Sequence, residues 1–257
     1  MPMNPTSLGA QRRGWAMLKR LHPERIDLSR IDLMRRRTLA ELSQPAHVQA
    51  LLLELGLNEE GLSELPTELH AHCGGLRIWQ YPTQFSGYLV QLSRLAVSSY
   101  VEIGIRHGGS FVATTEYLER FHALDFSIGV DVIDCPSMAE YCSRNGKARF
   151  WLLNSRSLEF VAKLETLGPI DLVFIDSHHE EEQCRDELAL LLPRASMIAL
   201  HDIANVGCPG IRRVWDDLKR STAYQCFEYI EQYAGLGAFM GIGLAVERER
   251  WDRMENA

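Results

Sequence analysis

Two segments of this sequence set acids and imidazoles directly after apolar runs: Asp176, Ser177, His178 and His179 follow DLVFI, and His201 and Asp202 follow MIAL. Aspartate oxygens are hard ligands suited to a magnesium-type ion, which keeps several waters and accepts few protein carboxylates. Asp176 and Asp202 are therefore candidate metal ligands. An imidazole beside them could accept a proton near neutral pH. Plainer readings exist: Asp176 binding its own loop amides, Asp202 capping a turn with Asn205 adding nothing, and His178 to Glu182 forming the solvated, acid-rich first turn of a helix.

A third segment, VEIGIRHGGS from Val101 to Ser110, has the layout of an anion-binding loop. A glycine loop that leaves a buried strand and opens a helix presents free backbone amides at the positive end of the helix dipole. Here Gly104 permits the tight turn, Gly108 and Gly109 let a ligand approach the backbone, and Ser110 is a natural helix cap. Asp131 ends the next apolar run, where a carboxylate can take both ribose hydroxyls. The dinucleotide fingerprint places a second glycine two residues after the first. This sequence has Arg106 there, whose bulk disfavours a pyrophosphate but leaves the helix end open to the single carboxylate of an amino acid. Adenosine joined to methionine fits that description. The alternative is a packing turn beside an unrelated loop aspartate.

Bringing these segments to one edge requires a particular scaffold. From Ser99 onward short apolar runs alternate with amphipathic stretches, the signature of a parallel sheet covered by helices. The spacing predicts strands over Tyr100 to Ile103, Ser127 to Val132, Phe150 to Leu153, Asp171 to Ile175 and Met197 to Leu200. It predicts helices over Glu182 to Leu192 and around Ile211, Val214, Trp215 and Leu218, the latter with Pro209 near its start. Tyr224 to Ile230 and Phe239 to Val246 then read as two strands joined by a loop, which must pair antiparallel. Open sheets of this kind bind ligands at the carboxyl ends of their strands, where all three segments lie.

Residues 1–78 form a predicted helical extension and residues 79–257 the α/β domain. In the extension Leu18, Leu21, Ile26, Leu39 and Leu42, then Val48, Leu51, Leu52 and Leu55, recur at helical spacing, and Arg35, Arg36 and Arg37 read as a solvated face. The extension could serve as a lid or as a contact between copies in a homo-oligomer. Trp79, Gln80, Tyr81 and Pro82 could fold over the cleft, although aromatics at a junction more often pack two parts together.

In this order VEIGIRHGGS, GVDVID, DLVFIDSHHEEE, IALHDI, PGIRRVWDDLK and GIGL resemble class I S-adenosylmethionine-dependent methyltransferases, over roughly residues 75 to 247. The branch they look like is that of the macrocin-type O-methyltransferases found with natural-product and polysaccharide biosynthesis. The resemblance implies a Rossmann-like, seven-stranded, mostly parallel sheet with an antiparallel last strand. It also implies that Glu102 and Gly104 line the methionine end, with Arg106, Gly108 and Ser110 in the same loop, that Asp131 holds the ribose, and that Asp176 closes the strand-four edge. Where many members carry an acid for the adenine amino group, this chain reads Asn154, Ser155, Arg156, Ser157, so Ser155 or Arg156 is expected beside the base. In related metal-dependent enzymes carboxylates at the positions of Asp176 and Asp202 hold the ion. His179 matches an IDxxH pattern and is the first candidate for catalytic base, with His201 second.

The expected activity is methyl transfer to a hydroxyl of a small molecule or glycan, with S-adenosylmethionine as cofactor and Mg2+ as candidate ion. Two other readings are a nicotinamide-dependent oxidoreductase, disfavoured by Arg106 and the terminal hairpin, and a nucleoside-binding module without turnover. Composition bounds these readings. The chain has 257 residues, 46% hydrophobic and 24% charged, enough for a sizeable core. A net charge of -7 argues against a nucleic-acid partner, since phosphate-tracking surfaces need a basic face. The six cysteines form no Cys-x-x-Cys pair, the segment from Met1 to about Ile26, with Arg12, Arg13, Lys19 and Arg20, lacks an uninterrupted apolar core, and no stretch approaches transmembrane length. The expectation is a cytoplasmic protein without a membrane span.

Overall fold

The computed structural model describes residues 23–60, 65–235 and 238–256. The expected helical positions Leu18 and Leu21, and the basic residues Arg12 to Arg20, lie outside the described residues. The extension then runs through short helices α1 (Ile31–Arg35), α2 (Leu39–Leu42) and α3 (Pro45–Leu55), followed by α4 (Pro82–Leu92). Local chemistry sets these boundaries. Thr38 and Glu41 cap α2 reciprocally, side chain to backbone in both directions, and Pro45 occupies the first turn of α3, where its missing amide hydrogen costs nothing. Val48, Leu51, Leu52 and Leu55 form the buried stripe of α3, as their spacing requires, whereas Leu39 is exposed. The expected solvated arginine face is only partly so. Arg35 reaches across to the buried Glu116, with Nε 2.9 Å from Oε2 and Nη2 3.0 Å from Oε1, and Arg37 binds Glu54.

Seven strands make one sheet: β1 (Ser99–Ile103), β2 (Phe126–Asp131), β3 (Ala148–Leu152), β4 (Ile170–Ile175), β5 (Ala195–Leu200), β6 (Tyr224–Tyr229) and β7 (Ile242–Glu247), in the order β3-β2-β1-β4-β5-β7-β6. Neighbours pair in parallel except β7, which is antiparallel to both β5 and β6. The fold is the Rossmann-like class expected. Crossovers are made by α5 (Gly109–Phe121), α6 (Met138–Arg144), α7 (Leu158–Glu165), α8 (Glu181–Leu191) and α9 (Pro209–Arg220), and α10 (Arg248–Glu255) follows β7.

Because both faces of the sheet are covered, its central strands read as continuous apolar runs. Tyr100, Leu172 and Phe174 point into a core shared with α4, α5 and the extension, which includes Leu51, Leu55, Tyr88 and Phe111. Val101, Ile103, Val173 and Ile175 point into the opposite core with Phe160, Leu188 and Trp215. The described part of the extension is thus continuous with one face of the sheet. At the far edge the fully buried Trp215 lies against β7, where a Cβ on Gly243 would come within 2.7 Å of the indole ring, and its Nε1 donates to Glu228 at 2.7 Å.

Register is what positions the chemistry. Ile103 pairs with Val130 on one side and Ile175 on the other, and Ile175 pairs with Leu200. The next residues, Asp131, Gly104, Asp176 and His201, therefore leave the sheet side by side. The strand order reverses between β1 and β4, so this edge is also the switch point at which such sheets open a crevice. All six cysteines are free thiols, and no described helix is long and apolar enough to cross a membrane.

Candidate active site

The loop after β1 is held in its shape by contacts that leave no freedom for a side chain at Gly104. Its φ is 88°, and a Cβ there would lie 2.0 Å from the carbonyl oxygen of Asp176, so the loops after β1 and β4 are pressed together at the switch point. Arg106 follows at φ 46°, and its amide donates to Asp131 Oδ2 at 2.7 Å while the amide of Ile133 donates to Oδ1 at 2.9 Å. The Arg106 side chain turns to the extension, where Nε is 3.0 Å from Glu60 Oε2 and the guanidinium lies 5.4 Å from the Trp79 ring centre. Burial opposes charge on Glu60, but His107 and Arg106 outweigh it and bring its carboxyl down to about 2.

Three expectations for this loop need correction. The space beside Gly108 and Gly109 is taken up by the protein itself: a Cβ on Gly108 would strike Met138, and one on Gly109 would lie 2.0 Å from the Leu76 carbonyl oxygen. Ser110 is not the helix cap. Gly108, at φ 92°, occupies that position with no side-chain cap bond, and Ser110 sits inside α5 with its hydroxyl on Glu102. Glu102, expected to line the methionine end, is 0% exposed beneath the loop, where Tyr100 and Ser110 donate to it. Burial pushes its carboxyl up to about 8 against the opposing effect of those two hydroxyls.

Beyond the loop, Asp176, His179, His201 and Asp202 meet. Asp176 Oδ1 is 2.8 Å from His201 Nδ1, and its Oδ2 accepts from Gln80 Nε2 at 3.0 Å. Asp202 Oδ2 is 2.8 Å from His179 Nδ1, and Oδ1 is 3.6 Å from His201 Nδ1. Asn205 Nδ2 at 3.1 Å and the Cys208 thiol at 3.3 Å also donate to Asp202. Donor atoms of Asp176, His179 and His201 lie within 4.8 Å of one another, as do those of His179, Asp202 and Cys208. Burial works against charge on His201, which is 7% exposed, yet the surrounding carboxylates Asp176 and Asp202 raise it to about 9. In return, and again against burial, His201 and His179 hold Asp202 well below the usual carboxylate range. The His179 side chain is 46% exposed, and Asp202 raises its pKa against the effect of burial. His178 faces outward and pairs with Glu180.

The segment after β3 is tied to α8. Ser155 donates to the fully buried Glu187 of α8 at 2.6 Å, and Arg156 Nη2 lies 2.8 Å from Asp186 Oδ2, so both side chains expected beside an adenine are bound to α8. Ser177 and Gln183 join them on Glu187. Gln80, by contrast, is a site residue that the spacing did not reveal. Its neighbours Trp79 and Tyr81 drew attention as aromatics, and Tyr81 does pack, edge-on to Tyr233 at 5.0 Å, but a glutamine facing Asp176 from 96 residues away leaves no periodic signal.

Residues 101–203, the stretch that contains Asp131, Asp176, His179, His201 and Asp202, match the family model described as a methyltransferase domain. Over that stretch the chain is similar to a methyltransferase domain. Its solved neighbours include the O-methyltransferase TomG from Streptomyces achromogenes, involved in tomaymycin synthesis and determined with S-adenosylmethionine. That chain is 17% identical, with 75% of this chain and 91% of TomG covered and a TM-score of 0.49. Another is the O-methyltransferase from Bacillus cereus in complex with S-adenosylhomocysteine, 17% identical over 83% of this chain and 93% of that one, with a TM-score of 0.49. No curated protein sequence matches significantly. Within the matched stretch, the loop after β1 and the acidic end of β2 lie beside the histidine–aspartate cluster along one sheet edge.

Proposed function

We propose that this protein transfers the methyl group of S-adenosylmethionine to a hydroxyl of a small molecule or glycan. The observation that carries the reading is the pairing, along one sheet edge, of a carboxylate that grips the glycine loop with a cluster able to accept a proton. Each Asp131 oxygen accepts one backbone amide and keeps a further lone-pair site, which suits a ribose diol. The uncapped N-terminus of α5 suits the methionine carboxylate. The exposed Val132 next to Asp131 offers an apolar face to the base. Glu102 acts from beneath, holding Ser110 and hence the first turn of α5.

Transfer is an in-line displacement. The acceptor oxygen forms a bond to the methyl carbon as the carbon–sulfur bond breaks, the electron pair stays on sulfur, and the hydroxyl proton must leave. With Nδ1 of His179 held against Asp202, its Nε2 carries the lone pair that takes this proton, and its half-exposed ring faces an incoming acceptor. His201 is too deeply buried to reach the acceptor and instead neutralises the two aspartates. A divalent cation, if it replaced the His201 charge on Asp176 and Asp202, would lower the pKa of the acceptor hydroxyl. Alignment of acceptor and donor by the crevice supplies much of the remaining rate.

The test is methyl transfer from isotopically methyl-labelled S-adenosylmethionine to a panel of sugar, phenol and macrolide hydroxyls, with His179→Ala as the control. Label in an ether product from the wild type, lost in the variant, supports the reading. Label on nitrogen or carbon acceptors alone refutes the O-transfer.

A further inference from the structure

Glu187 of α8 is a buried carboxyl that the transfer reaction does not use. It is 0% exposed, and donors from three places in the chain meet on it. Ser155, in the loop after β3, donates to Oε1 at 2.6 Å, and Ser177, in the loop after β4, donates to Oε2 at 2.7 Å. Gln183, one turn earlier in α8, donates to Oε1 at 3.0 Å. Packing alone does not call for a carboxyl here, because burying one costs free energy that an apolar side chain of similar size avoids. What a carboxyl adds is two acceptor oxygens in one rigid group, able to hold hydroxyls from two loops at once.

The two loops it joins are not neighbours in the sheet. Between β3 and β4 stand β2 and β1, which puts the ends of the outer two strands about 14 Å apart at the usual strand spacing. Both loops nevertheless converge on one carboxyl, and each borders a different part of the crevice. Ser177 directly follows Asp176, whose carbonyl oxygen abuts Gly104. Ser155 lies two residues beyond Leu153, whose amide donates to the carbonyl oxygen of Asp131 at 2.8 Å.

Strand order says which part of the cofactor each loop meets. With the methionine end at the loop after β1 and the ribose at Asp131 after β2, the base continues toward β3. There Val132 and Leu152 are exposed apolar residues. Beside them the chain turns at Asn154, whose Oδ1 accepts from the amide of Arg156 at 2.8 Å and whose carbonyl oxygen accepts from the amide of Ser157 at 2.9 Å. Ser155 is the side chain that anchors this turn to α8. Resting on the methyltransferase reading, we propose that Glu187 is a positioning residue for the base of the cofactor. By tying Ser155 to Ser177 it holds the loop after β3 at a set distance from the loop after β4, and so gives the crevice its selectivity for adenine.

The experiment is calorimetric titration of the full-length wild type, Ser155→Ala and Glu187→Leu with S-adenosylhomocysteine and with S-inosylhomocysteine, neither of which needs an acceptor. Hypoxanthine exchanges the donor and acceptor pattern of adenine, so a fixed loop leaves polar groups unpaired against it. The wild type is expected to prefer the adenine compound by roughly tenfold or more. That preference should shrink by roughly threefold or more in Ser155→Ala, and further in Glu187→Leu. A role in stability alone lowers the melting temperature and leaves the ratio of the two affinities unchanged. A wild-type ratio in folded Ser155→Ala therefore overturns the proposal, whether or not Glu187→Leu folds, and so does equal binding of the two compounds by the wild type. Binding of neither compound by the wild type removes the methyltransferase reading itself, and this proposal with it.

Discussion

His179 Nδ1 lies 2.8 Å from Asp202 Oδ2, and this pair joins a half-exposed imidazole to an almost fully buried carboxylate. The carboxylate fixes which ring nitrogen keeps a lone pair, so removing its charge should act on the chemical step. Asp202→Asn is expected to lower kcat by roughly 100-fold or more while leaving S-adenosylmethionine affinity unchanged. Asparagine tolerates the left-handed backbone at φ 61°, whereas alanine does not, so Asp202→Ala should in addition lose about 1 kcal/mol of stability relative to Asp202→Asn. Steady-state kinetics and denaturant titration of both variants check this, and equal kcat in wild type and Asp202→Asn would remove Asp202 from the mechanism.

Asp131 should separate cofactor binding from chemistry. Hydrogen bonds from ribose hydroxyls to a charged carboxylate contribute about 1.5–3 kcal/mol, so Asp131→Asn is expected to weaken S-adenosylmethionine binding by about 10-fold or more. Cofactor affinity equal to that of the wild type would show that Asp131 only braces the loop amides of Arg106 and Ile133.

Glu102 makes stability depend on pH. Its carboxyl is pushed up to about 8 by burial, while in the unfolded chain it titrates near 4.5. Between those values the folded protein holds a proton that the unfolded chain has released, so stability is lost as pH rises through this window. Glu102→Gln removes the titrating group. Melting temperature of the wild type is expected to fall from about pH 5 to about pH 8 more steeply than that of the variant. Parallel curves would mean that Glu102 is ionised in the folded state throughout.

Gln80 acts through Asp176, whose Oδ2 it holds at 3.0 Å. Gln80→Leu keeps much of the volume but removes the donor. Supporting residues of this kind typically cost 10–100-fold, and a fall in kcat of roughly that size is expected with cofactor affinity intact. Should the variant lose stability with kcat unaltered, Gln80 is a packing residue.

The sheet was legible in the sequence because its physical cause is local: apolar runs of five or six residues, buried on both faces, stand out against the polar loops. Each strand boundary from β1 to β5 fell within two residues of its expected place. Parallel register then carried the consequence that Asp176, His201 and Asp131 share an edge. What local sequence does not contain is the far side of each contact. The packing need at Gly108 and Gly109 has no local signal, because the atoms that require it, Met138 and the Leu76 carbonyl, come from about thirty residues away in either direction. The bond from Ser155 to Glu187 is hidden in the same way, because Glu187 is on another helix. The pairing of Arg35, which is exposed, is equally hidden, because Glu116 is 81 residues distant.

The central claim is that the crevice at the switch point holds S-adenosylmethionine. Calorimetric titration of the purified protein with S-adenosylmethionine and with S-adenosylhomocysteine tests it most directly. The account requires saturable, roughly micromolar binding of both compounds at one site per chain, weakened in Asp131→Asn and retained in Asp202→Asn. Absence of binding by either compound, in protein that melts cooperatively, would contradict it.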